Sequence, residues 1–285
     1  GFHSAGQFTS VGQGRSQHQP VDVRLGGGHR AEHLADLGQG GRGQHLVQRR
    51  AAPLQGHELH GRWEPGLEPL RQLAPREPGH VGLIKAAEGM ASRLSDWGYG
   101  VSTGPLVWNR FKPQMRTRAA RGLLPLIWAE AVTTDGRFVF RAQKKNHAPY
   151  FKTEASHDWL IVDQGCVLVQ RTTAKEQARR LIAAELPQEF IDAQGGVIVE
   201  NHLNMVRAIG KPKVTPAAVA AVINSDVVDQ VFRCISGSVA VSAFELEAIP
   251  LPPASAMAEI ERLVAKDAPR ATIERALRGL YGLKA

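Results

Sequence analysis

No isoleucine, lysine, asparagine, tyrosine, methionine or cysteine stands before Gly82, and the only phenylalanines in that stretch are Phe2 and Phe8. A segment so poor in aromatic and β-branched residues cannot bury enough apolar surface to offset the entropy of ordering it, so residues 1–81 are expected to form a low-order Gly/Arg/His/Gln-rich segment without a packed core. No helical or alternating periodicity persists there. The missing residues, cysteine apart, are those with codons rich in A and T. Two readings fit: a GC-rich gene read out of frame, or a natural basic linker. Whatever folds must be built from about residue 82 onward.

Two patterns inside this segment carry little weight. His29-Arg-Ala-Glu-His33 matches an inverted zinc-protease pattern, which needs a stable helix and a third ligand. The triple glycine just before it opposes such a helix. Gly38-Gln-Gly-Gly-Arg-Gly43 follows no strand and lacks dinucleotide-loop spacing. The formal charge of +8 favours a polyanionic partner, although solubility alone also produces such a balance. Cys166 and Cys234, the two cysteines, lie far apart in core-like surroundings, which excludes a disulfide framework or a thiolate zinc site. No apolar run approaches the roughly 20 residues that span a bilayer, and the start lacks a charged-then-apolar leader pattern. A cytoplasmic protein with no membrane partner is expected.

From residue 81 the character changes. Leu83, Ala87, Met90, Ala91 and Leu94 recur at helical spacing. Gly100-Val-Ser-Thr-Gly104 reads as a turn entering a short strand, where Ser102 and Thr103 serve either a phosphate or their own backbone. Arg110, Lys112, Arg116, Arg118 and Arg121 follow as a basic run, suited to a solvated loop or to a phosphate backbone. Residues 123–131 and 137–141 read as strands around an Asp135-Gly136 hairpin signal. Asn146-His-Ala-Pro-Tyr150 resembles the Asn-Pro-Pro-Tyr loop of amino-methylating enzymes. It is one residue too long, and the segment with Lys144 and Lys145 is read as a basic loop.

Val167-Leu-Val-Gln-Arg-Thr-Thr173 is an apolar strand handing over to a helix predicted across residues 174–186. That places Arg171, Thr172 and Lys175 at a helix N-terminus, which favours an anion such as phosphate; a plain strand-to-helix junction is the competing reading. Pro187 would close the helix. Val197-Ile-Val-Glu200 reads as a further strand, followed by Asn201, His202 and Asn204, whose amides and imidazole suit either base edges or turn backbone. Thr215-Pro216 and Asn224-Ser-Asp226 are helix starts. Residues 237–253 read as a strand-and-proline ending, and 254–283 as two amphipathic helices split near Pro269.

The ordered set Gly100-Val-Ser-Thr-Gly104, Pro125-Leu-Ile-Trp-Ala129, Gln170-Arg-Thr-Thr173, Val199-Glu-Asn-His-Leu-Asn204, Ile223-Asn-Ser225, Gly237-Ser-Val-Ala-Val-Ser242 and Ile249-Pro-Leu-Pro252 resembles the C-terminal specificity region of TaqI-like adenine-specific DNA methyltransferases of restriction-modification systems. The resemblance implies an α+β fold of mixed strands and short helices, a DNA target-recognition domain over residues 82–253 with C-terminal helices (254–285) packed on it. It implies binding of double-stranded DNA and delivery of an adenine for N6 methylation by a methyltransferase catalytic domain or subunit. S-adenosylmethionine is implied for the complete family enzyme and none for this chain, which shows neither the cofactor motif nor the catalytic loop and reads as an inactive fragment. Ser102, Thr103, Arg110, Lys112, Lys144, Lys145, Arg171, Thr172, Lys175, Asn201, His202 and Asn204 are the candidate DNA contacts. A free-standing specificity subunit and a metal-dependent hydrolase built on the histidine-rich segment are the rival readings.

Overall fold

In the computed structural model the described residues are 80–141, 147–172, 178–236, 238 and 240–283, and all of them belong to one compact unit. The expectations for residues 1–79, including both histidine and glycine patterns, lie outside the described residues, as do Lys144, Lys145, Asn146, Thr173 and Lys175.

Among the described residues nine strands form two sheets: β1 (Tyr99–Thr103), β2 (Met115–Arg116), β3 (Leu123–Ile127), β4 (Tyr150–Lys152), β5 (Ile161–Val162), β6 (Cys166–Gln170), β7 (Ala183–Leu186), β8 (Val197–Val199) and β9 (Leu203–Ala208). The first sheet runs β1-β9-β6-β7 and is antiparallel throughout; the second runs β2-β4-β3-β8-β5, with β3 and β8 parallel. The mixed α/β architecture is the one expected from the sequence.

Period-2 alternation explains the layering. On β6, Val167 and Val169 face a helical layer with Leu181, Ala183 and Val206, while Cys166 and Leu168 face the second sheet with Ile127, Val197 and Met205. A sheet covered on both faces needs a continuous apolar run, which Cys166-Val-Leu-Val169 supplies. The far side of the second sheet holds a third cluster, Leu106, Leu126, Trp128, Phe151, Leu160 and Ile198.

The described helices are α1 (His80–Glu88), α2 (Gln188–Gln194), α3 (Pro216–Ile223), α4 (Asp226–Ile235), α5 (Ala243–Glu247), α6 (Ala258–Ala265) and α7 (Arg270–Leu280); α2 lies beside the inter-sheet core and the others form the helical layer. Thr215 caps α3 by accepting from the Ala218 N–H, and Ser225 caps α4 by accepting from Val228, as their sequence positions predict. The two terminal helices, on either side of Pro269, pack on α3 and α4.

Five local expectations are corrected. The first helix ends at Glu88, because Ser92 pairs with Leu251 instead of continuing it. Gly100 to Thr103 is part of strand β1, paired with β9, not a turn. Of residues 137–141, Phe138 makes an isolated bridge to Val132 beside the Asp-Gly turn, without a strand forming. The helix predicted over 174–186 is absent from its described part: Ala183–Leu186 is strand β7, paired with β6, and Pro187 precedes α2 as its N-cap. The 237–253 ending contains α5, closed into a capping box by Ser242 and Glu245.

Candidate nucleic-acid interface

The segments that carry the family-like motifs meet at one junction. β1 ends at Thr103, after which the Gly104 N–H donates to the Leu203 carbonyl (2.8 Å), Leu106 donates to Val199 (3.1 Å) and Asn201 donates back to Leu106 (2.9 Å). A Cβ on Gly104 would overlap the Glu200 carbonyl and lie 2.9 Å from the Val199 oxygen, so only glycine lets these two segments approach. At the end of β6, the Gln170 amide donates to the carbonyls of Ala129 (3.1 Å) and Val132 (2.8 Å). The Arg171 N–H donates to His202 O (2.9 Å), and Val241 N–H donates to Arg171 O (2.7 Å).

The arginine side chain points the same way. Its Nη1 donates to the Asn201 carbonyl at 2.8 Å, while Nε is buried without a partner. Arg171 is therefore braced against the 200–202 turn. The turn is held from below by Glu200, fully buried, whose carboxylate accepts from the His202 N–H (2.8 Å) and lies 2.8 Å from His202 Nδ1. The imidazole is 52% exposed. Pinning Nδ1 on the carboxylate leaves Nε2 for the surface.

Asn204 behaves otherwise. It is fully buried on β9 and its Nδ2 donates to the Val241 carbonyl (2.8 Å), so its amide is committed inside the protein and presents no edge outward. Ser102 keeps its Oγ buried and unpaired, and Thr103 sits beside Asn204 in the β1–β9 register; both are strand residues. Thr172 is exposed and bridges to Ala240. The structure thus gathers Arg171, Asn201 and His202 around one turn and withdraws Asn204.

Leu106 pairs with Glu200, so the segment that touches this turn runs directly on into Trp108, Arg110 and Lys112, all exposed. From Trp97 to Ala129 there is no Asp or Glu, whereas Arg110, Lys112, Arg116, Arg118 and Arg121 all fall within it. Arg116 is held close to its own backbone, donating to the carbonyls of Pro113 (2.6 Å) and Met115 (2.8 Å).

An aromatic group beside this run was not singled out from sequence. The Trp108 ring lies 6.3 Å from Trp128, and His147 stacks on Trp128 at 4.0 Å with planes 8° apart. Trp128 Nε1 donates to Ala148 O (2.8 Å), His147 Nδ1 lies 2.6 Å from Glu130, and Lys112 Nζ sits 5.4 Å from the centre of the Trp108 ring. The sequence signal that could have found it is a tryptophan inside an acid-free cationic stretch.

Among the described residues no group of three or more His, Cys, Asp or Glu could hold a metal ion, and no helix is long and apolar enough to cross a membrane.

No family model matches the chain. It is similar to the type II methyltransferase M.BsuBI of Bacillus subtilis, with 29% identity over 172 residues covering 60% of this chain and 34% of that protein. It is likewise similar to the type II methyltransferase M.PstI of Providencia stuartii, with 28% identity over 188 residues covering 64% of this chain and 36% of that protein. The chain therefore spans about a third of the length of these two relatives.

Proposed function

We propose that the chain is the target-recognition part of a site-specific, adenine-specific DNA methyltransferase of a restriction-modification system. In this reading it binds duplex DNA and presents an adenine to a catalytic domain or subunit for N6 methylation. The observation that carries the reading is the junction itself. Arg171, Asn201 and His202 crowd one braced turn, and an acid-free cationic segment lies against that turn through the Leu106–Glu200 bridge, in a chain distantly similar to two type II methyltransferases.

The chemistry of the parts fits a division of labour between positioning and reading. Arg110, Lys112 and Arg171 carry fixed positive charge for phosphates, which sets affinity and register without reading sequence. Asn201 and the outward Nε2 of His202 supply the donors and acceptors that base edges require. Thr172 adds a hydroxyl at the same edge, and Lys144, Lys145 and Lys175 add charge from segments outside the described residues.

S-adenosylmethionine belongs to the partner domain in this reading. Gly104 abuts Glu200 of this chain, and a Cβ at Gly196 would lie 2.7 Å from Ile161, so neither of these two glycines opens onto space for it.

Selection of the full chain against a pool of random duplexes tests the reading. Enrichment of one short sequence is the expected result. Recovery of an unchanged pool, at a salt concentration where binding is measurable, would sink it.

A further inference from the structure

The segment that carries Arg110 and Lys112 has an aromatic step that phosphate contacts leave unused. Trp108 is 37% exposed, while Trp128 behind it is only 6% exposed. Trp128 is fixed from two directions, by its hydrogen bond to the Ala148 carbonyl (2.8 Å) and by the stacked His147 ring (4.0 Å), itself tied to Glu130 (2.6 Å). Trp108 therefore stands against a rigid wall. The Lys112 ammonium lies 5.4 Å from the centre of the Trp108 ring, in an arrangement that satisfies the ring's negative face.

A tryptophan so placed has few suitable occupants. An apolar protein surface would have to desolvate Lys112 and Arg110, in a segment that supplies no carboxylate of its own from Trp97 to Ala129. A nucleotide meets every feature at once, because its base offers a π-face to the ring and its phosphate offers an anion to the ammonium.

We propose that Trp108 stacks on a DNA base that has left its pair at the recognition site, with Lys112 passing from the ring to that nucleotide's phosphate. The inference rests on the reading of the chain as a DNA-recognition module. It adds a residue that reads deformation of the duplex to those that read base edges.

The test measures binding of the full chain to two fluorescein-labelled duplexes by anisotropy across a salt series: one fully paired, the other identical but for one unpaired adenine. Wild type is expected to prefer the second duplex about tenfold, in line with the worth of one stacked base. Trp108→Ala should lose that preference and keep the salt slope, Trp108→Phe should retain most of it, and Lys112→Ala should lower the slope by about 1 on both duplexes. Circular dichroism melting checks that each variant is folded, and the phenylalanine variant carries the test if the alanine variant is not. A preference that survives Trp108→Ala, or a wild type that binds both duplexes equally, overturns the stacking role and leaves the DNA reading standing. Failure of wild type to bind either duplex overturns both.

Discussion

At the scale of single residues, Arg171 has two functions that substitution can separate. Its charge stands at the junction, and its Nη1 holds the Asn201 carbonyl at 2.8 Å. Arg171→Ala should weaken duplex binding across sequences and reduce the slope of log affinity against log salt by about 1. Arg171→Lys should keep the slope, because the charge remains, yet weaken sequence preference, because a lysine does not place a donor where Nη1 meets the Asn201 carbonyl. An alanine variant with an unchanged slope would remove Arg171 from the phosphate contacts. Gly104 makes the complementary point about structure. Its Cα–H faces the Glu200 carbonyl, so Gly104→Ala must push apart the segments that carry Trp108 and His202. The expected cost is on the order of 3 kcal/mol, read from the urea midpoint, with loss of site preference in whatever remains folded.

At the scale of elements, strand β7 shows what decides between helix and sheet. Ala183-Ala-Glu-Leu186 has high intrinsic helix propensity, and a helix was the local expectation. Tertiary partners override it. Val169 pairs with Ala183 on the inner edge, while the Asn224 side chain mimics another strand on the outer edge, accepting from the Ala183 N–H (3.0 Å) and donating to its carbonyl (2.5 Å). Asp229, nearly buried on α4, accepts from the N–H groups of Arg180 (2.6 Å) and Leu181 (2.7 Å) and from Arg233 (2.8 Å). Asn224 and Asp229 lie 41 to 49 residues in sequence from the backbone groups they bind here, beyond the reach of any periodicity window. The caps at Thr215 and Ser225 were legible for the opposite reason, since each hydroxyl meets an N–H three residues on. The same rule divides the candidate site. The exposure of Arg110 and Lys112 follows from local charge, whereas the burial of Asn204 depends on the Val241 carbonyl 37 residues away. Asn224→Ala should strand two backbone groups of fully buried Ala183 and cost about 2 kcal/mol. Native-state hydrogen exchange should show the Ala183 amide losing protection. Asn224→Asp should also destabilise, because it sets a carboxylate against the Ala183 carbonyl while keeping the acceptor for its N–H.

At the scale of the whole molecule, three aromatic side chains tie distant parts of the chain through buried hydrogen bonds. Trp97 Nε1 donates to the Pro252 carbonyl (2.9 Å), the Tyr99 hydroxyl to Val214 (2.6 Å) and the Tyr281 hydroxyl to Pro250 (2.7 Å). They fasten the start of β1 to the entry of α3, and both ends of the helical layer to the proline-rich segment between α5 and α6. Both phenols must remain protonated to donate. Burial, with the nearby Glu185 and Glu261 carboxylates adding to it, pushes the Tyr99 hydroxyl from 10.0 up to about 12, and burial pushes Tyr281 up as well. The folded state thus holds these protons more tightly than the unfolded chain. Their contribution to stability is fully present below the unfolded value near 10 and is lost as pH rises through the folded values. Urea midpoints should accordingly fall between pH 10 and about 12 for wild type. Tyr99→Phe should be less stable than wild type at pH 7 by about 1 kcal/mol for the lost hydrogen bond, and should lose less stability across the alkaline range. Midpoints of the two proteins that fall in parallel would mean that the Tyr99 phenolate is tolerated, and that alkaline unfolding begins elsewhere in the molecule.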